Sequence, residues 1–350
     1  MNHTFTCPSC GMEYEFSGFA KVEEFFCSTC GHLIKPMMKK QVEGEASEYT
    51  TPSKLRVPAF ALCPPFFADT QIANNKWMTD MKPEERKIDR ERYLTQFLDL
   101  YEILSGLSVV YLAPTAKGLQ DHVYFTNAGM YLPHLNEDIF ILSNFTAEGR
   151  AAETEFNKKW FELLGYKTIM PPYKFEGEAE LKYLRDNIYF GGYGIRTDLR
   201  ALQWIEENFG AKIIPVKETD PYLYHLDCSI FPLNKENIIC YVDGVVKAAG
   251  RKILKSIEKV ANIFPVDRND ALCGICNSIR ATEVVINASP IEYMKKTDKY
   301  YEEERNKNDK LIKICRKVGL EPIFIDLSEA MKGGALLSCC VLHLNYVDYM

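Results

Sequence analysis

Short apolar segments alternate with charged, amphipathic segments along most of this chain, and this alternation constrains its fold more than any other feature. From residue 57 onward, runs typical of buried strands are bounded by Pro, Gly and Asn: SVVYLAP, DIFILSNF, KTIMPPY, NIYFGGYG, KIIPVK, NIICYVDGV, EVVINA and PIFIDL. Between them lie segments with helical periodicity: residues 82–107, TEFNKKWFELLGY, LRALQWIEENFG, GRKILKSIEKVAN and NDKLIKICRKVGL. Repeated strand–helix alternation predicts an α/β fold with a largely covered sheet.

The N-terminal segment predicts a separate zinc ribbon. Cys7 and Cys10 form one CxxC pair, and Cys27 and Cys30 form a second pair after a spacing of 16 residues. Four thiolates at this spacing suit a tetrahedral Zn²⁺, and four protein ligands leave no open position for catalysis, so the metal is expected to be structural. The alternative is four unconnected thiols. A further pair, Cys273–Cys276, is interpreted as two buried thiols.

Three regions follow from these patterns. Residues 1–40 are predicted to form the zinc ribbon, and residues 41–56 a polar, acidic linker. Residues 57–350 are predicted to form the α/β domain, which is long enough to bury a full catalytic core.

Composition excludes some classes of function. A formal charge of -6 and a pI near 5.7 indicate no polyanion-binding surface and suit a small cationic substrate at least as well as nucleic acid. No segment approaches the roughly 18 apolar residues of a membrane span, and the N-terminus lacks a basic-then-apolar signal pattern. We therefore expect a cytoplasmic protein whose 12 cysteines are reduced thiols, metal ligands and one reactive residue.

Four segments place acidic, imidazole, amide and thiol groups at the ends of predicted strands: QDHVYFTNAG, FEGEAEL, YHLDCSIFPL and GGALLSCCVL. A guanidinium ion needs carboxylates for recognition and a strong nucleophile at its carbon, and a cysteine thiolate is such a nucleophile. On one strand, His225 and Asp227 would face the same side and line one pocket. Composition alone does not exclude ordinary structural roles, such as Asp121 as a cap or Cys339–Cys340 as core thiols of a C-terminal strand.

In their order, these segments resemble the guanidine-modifying superfamily, which has the pentein or amidinotransferase fold. Residues 63–78, CPPFFADTQIANNKWM, are similar to the opening strand of its arginine dihydrolase branch. HVYFTNAG, FEGEAEL with YFGGYGIRT, YHLD and a terminal Gly-Gly-x-x-x-x-Cys complete the likeness. The resemblance covers about residues 57–345 and excludes the ribbon. It implies a five-fold pseudo-symmetric α/β propeller around a central substrate channel.

The resemblance also implies roles for individual residues. Cys339 is similar to the family's nucleophile, His225 to its general acid and base, and Glu176 to the carboxylate that supports the histidine or the substrate. The positions that we predict to bind substrate are Asp121, Asn127, Glu180, Arg196 and Asp227. The family usually has Gly and then Asp where this chain has Ala179 and Glu180, and Arg196 has either a structural or a carboxylate-binding role.

The function implied is hydrolysis of C–N bonds in a guanidino compound, with L-arginine expected, through a thiouronium on Cys339. Dihydrolase chemistry yields ornithine, carbon dioxide and ammonia, whereas deiminase chemistry stops at citrulline and ammonia. The segment that contains Asn127 is similar to the dihydrolase pattern. An amide at this position would accommodate a ureido oxygen. No cofactor is implied for catalysis. The alternatives are an amidinotransferase or an arginine-sensing protein that acts through the ribbon. A nucleic-acid or protein partner for the ribbon is left open, and so is homo-oligomerisation.

Overall fold

The computed structural model describes residues 2–6, 9–17, 25–30, 33–34 and 51–349. The chain divides into two compact units, Met1–Tyr49 and Thr50–Met350. At the start of the larger unit, the Asn345 side-chain amide donates to the carbonyl oxygens of Pro52, Leu55 and Val57. The region boundaries that we predict at residues 40 and 56 remain predictions.

Antiparallel hairpins form the described part of the smaller unit: β1 (Asn2–Thr6) with β2 (Glu13–Ser17), and β3 (Phe25–Phe26) with β4 (Leu33–Ile34). Cys10 therefore lies between β1 and β2, and Cys27 and Cys30 lie between β3 and β4. Gly11, directly after Cys10, has a φ of 75°, a left-handed conformation that glycine adopts without a Cβ clash.

Strands and helices alternate through the described residues 51–349 of the larger unit. The strands are β5 (Ala59–Leu62), β6 (Val109–Leu112), β7 (Gly129–Tyr131), β8 (Ile139–Leu142), β9 (Lys167–Ile169), β10 (Leu181–Arg185), β11 (Ile188–Tyr193), β12 (Lys212–Lys217), β13 (Ile230–Pro232), β14 (Asn237–Tyr241), β15 (Asn262–Val266), β16 (Ser278–Ala281), β17 (Val284–Ala288), β18 (Glu321–Ile325) and β19 (Val341–His343). The α-helices are α1 (Lys76–Asp80), α2 (Arg90–Leu107), α3 (Ala151–Leu163), α4 (Leu199–Phe209), α5 (Val242–Ala249), α6 (Arg251–Glu258), α7 (Arg268–Leu272), α8 (Tyr301–Lys317), α9 (Ser328–Met331) and α10 (Leu337–Cys340).

These strands form five three-stranded sheets with one repeated topology, in the orders β7-β8-β9, β10-β11-β12, β13-β14-β15, β16-β17-β18 and β19-β5-β6. In each sheet the first strand is antiparallel to the second, and the second is parallel to the third. Helices lie in the crossovers between the parallel strands, as expected for such connections. Because C-terminal β19 pairs with β5, the two ends of the unit complete one sheet. The predicted five-fold pseudo-symmetric α/β propeller is confirmed, with five small sheets rather than one large covered sheet.

Helix caps decide where the helical segments begin and end. Periodicity predicts helix from residue 82, but α2 begins at Arg90 because the side chain of Asp89 accepts a hydrogen bond from the backbone N–H of Arg92. Helix α4 begins after Asp198, which caps the backbone N–H of Arg200, and it ends at Phe209, before Gly210, whose φ is 69°.

Three segments differ from their predicted strands. Residues 63–78 contain a 3₁₀ turn and α1, because Pro64 and Pro65 cannot donate to a ladder, and the opening strand is β5. The run NIICYVDGV is strand only as far as Tyr241, where the parallel pairing with β15 ends and α5 follows. Cys339 lies in the short helix α10, and β19 begins only at Val341.

Apolar side chains are buried where the helices cover the sheets. Phe140 of β8 and Phe161 of α3 are both fully buried, and their rings stack with centroids 3.8 Å apart. Contacts of this kind hold each helix to its sheet and leave the turns before the first strands free to carry polar groups. Over the described residues, none of the helices combines the length and apolar character that a membrane span requires.

Candidate active site

The polar groups of the candidate site come from the turns that precede the first strand of each sheet. These turns hold Asn127 before β7, Glu176 and Glu180 before β10, His225 and Asp227 before β13, Asn277 before β16, and Cys339 before β19. Because the sheets repeat one topology, the turns occupy equivalent places in the propeller. Residues that lie far apart in the sequence therefore meet.

A small polar cavity opens beside Cys339. It is lined by Asn74, Asn75, Asp121, Tyr124, Asn127, Arg150, Arg196, Tyr224, His225, Gly333, Ala335 and Cys339. The structure thus brings Asp121, Asn127, Arg196, His225 and Cys339 together around one space. The other three residues that we predicted for the site, Glu176, Glu180 and Asp227, are fully buried outside this lining.

The thiol of Cys339 is buried among polar side chains. Its Sγ lies 3.4 Å from Nδ2 of Asn277 and 3.7 Å from Oδ2 of Asp227. The same Asp227 oxygen accepts a hydrogen bond of 2.6 Å from the hydroxyl of Ser338. Burial and the negative charge of Asp227 raise the pKa of the Cys339 thiol well above its usual range. A cation bound beside the sulfur would lower that pKa.

His225 is held by a carboxylate. Its Nε2 lies 2.8 Å from Oε2 of Glu176, which also accepts a hydrogen bond of 3.1 Å from Nη1 of Arg196. Burial raises the pKa of Glu176, but the hydrogen bond with His225 and the charge of Arg196 outweigh burial and lower that pKa to about 2. An ionised carboxylate therefore orients the imidazole.

The expectation that His225 and Asp227 share one face of a strand is wrong. His225 caps a 3₁₀ turn, Leu226–Cys228, so the two side chains point to different partners. His225 contacts Glu176, whereas Asp227 contacts Ser338 and Cys339. The turn therefore gives the imidazole and the carboxylate different partners.

The amide of Asn127 has a fixed orientation in the cavity. Its Nδ2 donates to the backbone carbonyl of Glu176 at 3.1 Å, and its Oδ1 accepts from Nη1 of Arg150 at 2.9 Å. Arg150 is itself buried and forms two hydrogen bonds with the carboxylate of Glu153, of 2.9 and 2.8 Å. Because a guanidinium can only donate, Oδ1 must face Arg150 and Nδ2 must face the carbonyl.

Asp121 and Arg196 lie against one asparagine. The Asn74 side chain donates to Oδ2 of Asp121 at 2.6 Å, and the Asn74 carbonyl accepts from Nη2 of Arg196 at 2.6 Å. The Arg196 guanidinium also lies over the ring of Tyr224, 4.8 Å from its centroid. Burial raises the pKa of Asp121 to about 6, although the charge of Arg150 opposes this rise.

Glu180 lies outside the cavity, in a buried pair of carboxyl groups with Glu218. Its Oε2 accepts a hydrogen bond of 3.1 Å from the backbone N–H of Leu226, the residue after His225. A Cβ atom added to Gly192 would lie 2.2 Å from Oε2 of Glu180 and 2.9 Å from Oε1 of Glu218, so only glycine leaves room for the pair. Burial raises the pKa of Glu180 to about 7. Burial also raises the pKa of Glu218 well above its usual range, and the charge of Glu180 adds to this rise.

Several residues at the site carried no usable signal in the sequence. Arg150 and Asn277 lie in segments without a recognisable motif, and Tyr224 begins the YHLD segment, which indicated the family but no role for the tyrosine. Asn74 lies within residues 63–78, which indicated the family but not a contact. Ser338 could have been noticed because it directly precedes the proposed nucleophile.

A second cavity reaches Cys339 from another side and is mainly apolar. It is lined by Trp77, Tyr222, Leu223, Cys228, Ala271, Leu272, Gly274, Asn277, Met331, Gly334, Ala335, Leu336 and Cys339. Segment 333–335 lines both cavities in part. Asn75 Nδ2 donates to the Gly333 carbonyl at 2.9 Å, and the Tyr224 hydroxyl donates to the Gly334 carbonyl at 2.8 Å, so both bonds hold this segment. The sulfur is therefore bordered by a polar and an apolar space.

The smaller unit contains a cluster of thiols that could hold a metal ion. The sulfur atoms of Cys10, Cys27 and Cys30 all lie within 4.8 Å of one another, and those of Cys10 and Cys27 are 3.5 Å apart. Sulfur atoms bound to one tetrahedral zinc at about 2.3 Å are separated by roughly 3.8 Å, so these thiols fit such an ion. Cys7, the fourth predicted ligand, lies outside the described residues.

No family model matches the chain. The chain is 27% identical over 295 residues to the N(G),N(G)-dimethylarginine dimethylaminohydrolase of Mycobacterium tuberculosis, covering 83% of this chain and 87% of that protein. It is 26% identical to the bifunctional arginine dihydrolase/ornithine cyclodeaminase AgrE of a Nostoc species, covering 82% of this chain but only 38% of AgrE. The crystal structure of AgrE with ornithine and NAD+ superposes with a TM-score of 0.71 at 25% identity, covering 84% of this chain and 40% of AgrE.

Proposed function

Because this chain is a homologue of dimethylarginine dimethylaminohydrolase and of an arginine dihydrolase and has their pentein fold, we propose that it hydrolyses C–N bonds of a guanidino compound. The observation that carries this proposal is the convergence of a buried thiol, an imidazole paired with an ionised carboxylate, and further carboxyl groups around one small cavity. This set matches the needs of a planar cation and of nucleophilic attack on its carbon.

The proposed reaction begins when the guanidinium binds in the cavity beside Asp121, where it comes close to Asp227, the carboxylate next to the Cys339 sulfur. Its positive charge offsets the effect of Asp227 on Cys339, so the thiol passes its proton to His225 and the thiolate adds to the guanidinium carbon. His225, protonated and supported by Glu176, donates a proton to the departing amine as the C–N bond breaks, which leaves a thiouronium on Cys339.

Hydrolysis of the thiouronium uses the same groups in reverse. Neutral His225 takes a proton from a water molecule, and the resulting hydroxide adds to the thiouronium carbon. The C–S bond then breaks, its electron pair returns to sulfur so that Cys339 is again a thiolate, and the proton of the new hydroxyl group passes to the released ammonia. One cycle converts a guanidinium and water into a urea and ammonium.

L-arginine is the substrate that we propose, with the dihydrolase outcome preferred. AgrE is an arginine dihydrolase by name, and a crystal structure of an AgrE variant contains L-arginine at 25% identity to this chain. Support from this chain comes from Asn127, whose neutral amide lines the cavity and would not repel a ureido oxygen. A second cycle on citrulline would yield ornithine, carbon dioxide and a second ammonia. The chain spans about 38% of AgrE, so cyclodeaminase activity is not part of this proposal.

For the remaining residues and the smaller unit we propose supporting roles. Glu180 positions the turn that carries His225, through its bond to the Leu226 N–H. Cys7, Cys10, Cys27 and Cys30 hold a structural Zn²⁺, which takes no part in the chemistry. A cytoplasmic location and a protein or nucleic-acid partner for the ribbon remain proposals from the sequence.

The deciding experiment is a product assay by mass spectrometry. Purified full-length protein is incubated with arginine, dimethylarginine, agmatine or citrulline, with and without glycine as an amine acceptor. Ornithine from arginine supports the dihydrolase proposal, and citrulline as the sole product supports the deiminase outcome. Conversion only when glycine is present would instead identify an amidinotransferase, and conversion of none of these compounds would reject the proposed function.

A further inference from the structure

The turn before β16 contributes to the site a residue that neither the sequence motifs nor the proposed mechanism uses. The equivalent turns before β7, β10, β13 and β19 supply Asn127, Glu176, His225 and Cys339. In the turn before β16, the side chain of Asn277 is buried and reaches the nucleophile. The pseudo-symmetry of the fold therefore draws attention to this asparagine.

The orientation of the Asn277 amide follows from its partners. Its oxygen, Oδ1, accepts a hydrogen bond of 2.8 Å from the backbone N–H of Ser338. Because a backbone N–H can only donate, the atom that faces it must be the oxygen, and the NH₂ group must be the atom 3.4 Å from the Cys339 sulfur. The sulfur also lies 3.9 Å from Oδ1, but a thiolate cannot donate to that oxygen.

The surroundings of the sulfur make this donor important. The closest charged group is Asp227, whose Oδ2 lies 3.7 Å from Sγ and disfavours a negative charge there. Burial acts in the same direction and raises the pKa of the Cys339 thiol, whereas the hydrogen bond from Asn277 lowers it. An N–H aimed at sulfur stabilises the thiolate more than the thiol, because hydrogen bonds to charged groups are the stronger ones.

The turn is built so that Asn277 cannot easily move. Asn287 on β17 donates to the Gly274 carbonyl at 2.8 Å and to the Ser278 hydroxyl at 2.9 Å, on either side of Asn277. The buried Lys307 of α8 in turn donates to the Asn287 oxygen at 2.8 Å. A Cβ added to Gly274 would lie 2.2 Å from the Leu336 side chain, so the turn packs closely against the segment that leads into α10.

From this arrangement we propose that Asn277 is a further catalytic residue, whose side-chain N–H groups hold the Cys339 sulfur as a thiolate for attack and receive it again when the thiouronium is hydrolysed. The inference rests on the proposed role of Cys339 as nucleophile. It adds a donor that lines the apolar cavity, whereas His225 lines the polar one. Asp227 is then free to bind the substrate cation, while Asn277 offsets its effect on the sulfur.

The test measures the thiolate itself and needs no substrate. The rate at which iodoacetamide alkylates Cys339 is followed from pH 5 to 10 by peptide mass spectrometry, with fragment ions that separate Cys339 from Cys340. Asn277→Ala removes the donor, and Asn277→Asp keeps an acceptor for Ser338 but replaces the donor with a negative charge. We expect the midpoint of the pH profile to move to higher pH in both variants, and further for Asn277→Asp. At pH 7.5 the rate should fall at least roughly tenfold.

Asn308→Asp is the matched control, because Asn308 is also buried and polar, but it donates to Ser289 and not to the site. This variant should keep the wild-type profile. Folded Asn277 variants with the wild-type midpoint would overturn the proposal, and so would loss of folding in both, which would assign Asn277 to structure alone. If the midpoint moves but no guanidino compound is converted by the wild type, the proposed function fails while the role of Asn277 at the thiolate stands.

Discussion

Nε2 of His225 lies 2.8 Å from Oε2 of Glu176, and both residues are buried directly beside the cavity that contains Cys339. Two residues further along the same segment, Glu178 forms a similar pair, with Oε1 2.6 Å from Nδ1 of His343. Only the first pair has its histidine in the cavity. The two pairs therefore allow a catalytic carboxylate to be separated from a structural one.

Glu176→Gln should lower kcat by roughly 10²- to 10⁴-fold with little effect on KM, because His225 loses the ionised partner that orients its imidazole for proton transfer to the departing amine. The matched variant Glu178→Gln should reduce the free energy of unfolding and leave kcat nearly unchanged. Steady-state kinetics with urea denaturation of both variants would check this. Equal losses of kcat in the two would contradict a special role for Glu176.

Cys339→Ser should abolish turnover, to below roughly one thousandth of the wild-type rate, since an alcohol at this position is a far poorer nucleophile at neutral pH. Cys340→Ser provides the control, because the Cys340 Sγ lies 3.4 Å from the Leu336 carbonyl oxygen and the side chain lines neither cavity. It should retain most activity. Mass spectrometry should detect a substrate adduct on Cys339 and none on Cys340. A fully active Cys339→Ser protein would remove the nucleophile from the mechanism.

Asn127→Asp should shift the products from ornithine towards citrulline. The new carboxylate would repel a ureido oxygen and would lose the hydrogen bond that Asn127 Nδ2 donates to the Glu176 carbonyl, 3.1 Å away. The ornithine-to-citrulline ratio, measured by chromatography with mass detection, reports the change. Asn144→Asp serves as a control, because Asn144 lies in a neighbouring segment but outside the cavity lining. An unchanged ratio in Asn127→Asp would separate this residue from the second hydrolytic step.

Stability should fall as pH rises because of the Glu180–Glu218 pair. The pKa of Glu180 is raised from 4.5 to about 7, so between these values the folded state holds a proton that the unfolded chain has released. The free energy of unfolding then decreases with rising pH across this window, by on the order of 3 kcal/mol. Since the pKa of Glu218 is raised still further, the decrease should continue above pH 7.

Glu218→Gln removes one member of this pair and lets its amide donate to Glu180. Its free energy of unfolding should therefore change less between pH 5 and pH 8 than that of the wild type, as measured by urea denaturation at both values. The exposed residue Glu207 supplies the control variant Glu207→Gln, which should follow the wild type. Parallel pH dependences in all three proteins would show that the pair does not titrate in this range.

Zinc removal should leave the chemistry intact. We expect about one Zn²⁺ per chain by elemental analysis, lost on treatment with a strong chelator or in Cys10→Ser, with kcat retained as long as the larger unit stays folded. Cys315→Ser, which changes a buried cysteine of α8, should keep the metal. Loss of kcat in step with loss of zinc, without unfolding, would assign the metal a catalytic role.

The sequence alone determined the alternation of strands and helices, the spacing of the ribbon thiols and the residue types needed for guanidinium chemistry. Each is local, since periodicity, caps and motifs are properties of neighbouring residues. Cys339, His225 and Glu176 could be predicted as site residues because their segments contain recognisable motifs. Asn127 and Asp121 were named for the same reason.

Only the tertiary structure decided which of these groups meet. Sequence spacing suggested that His225 and Asp227 share a face, but a 3₁₀ turn directs one to Glu176 and the other to Cys339. Glu180, predicted in the substrate site, is paired with Glu218 behind it, and Asn277 reaches the sulfur across a separation of 62 residues. Contacts between equivalent turns of different sheets depend on how the ring closes, and closure is a property of the whole fold that no single segment encodes.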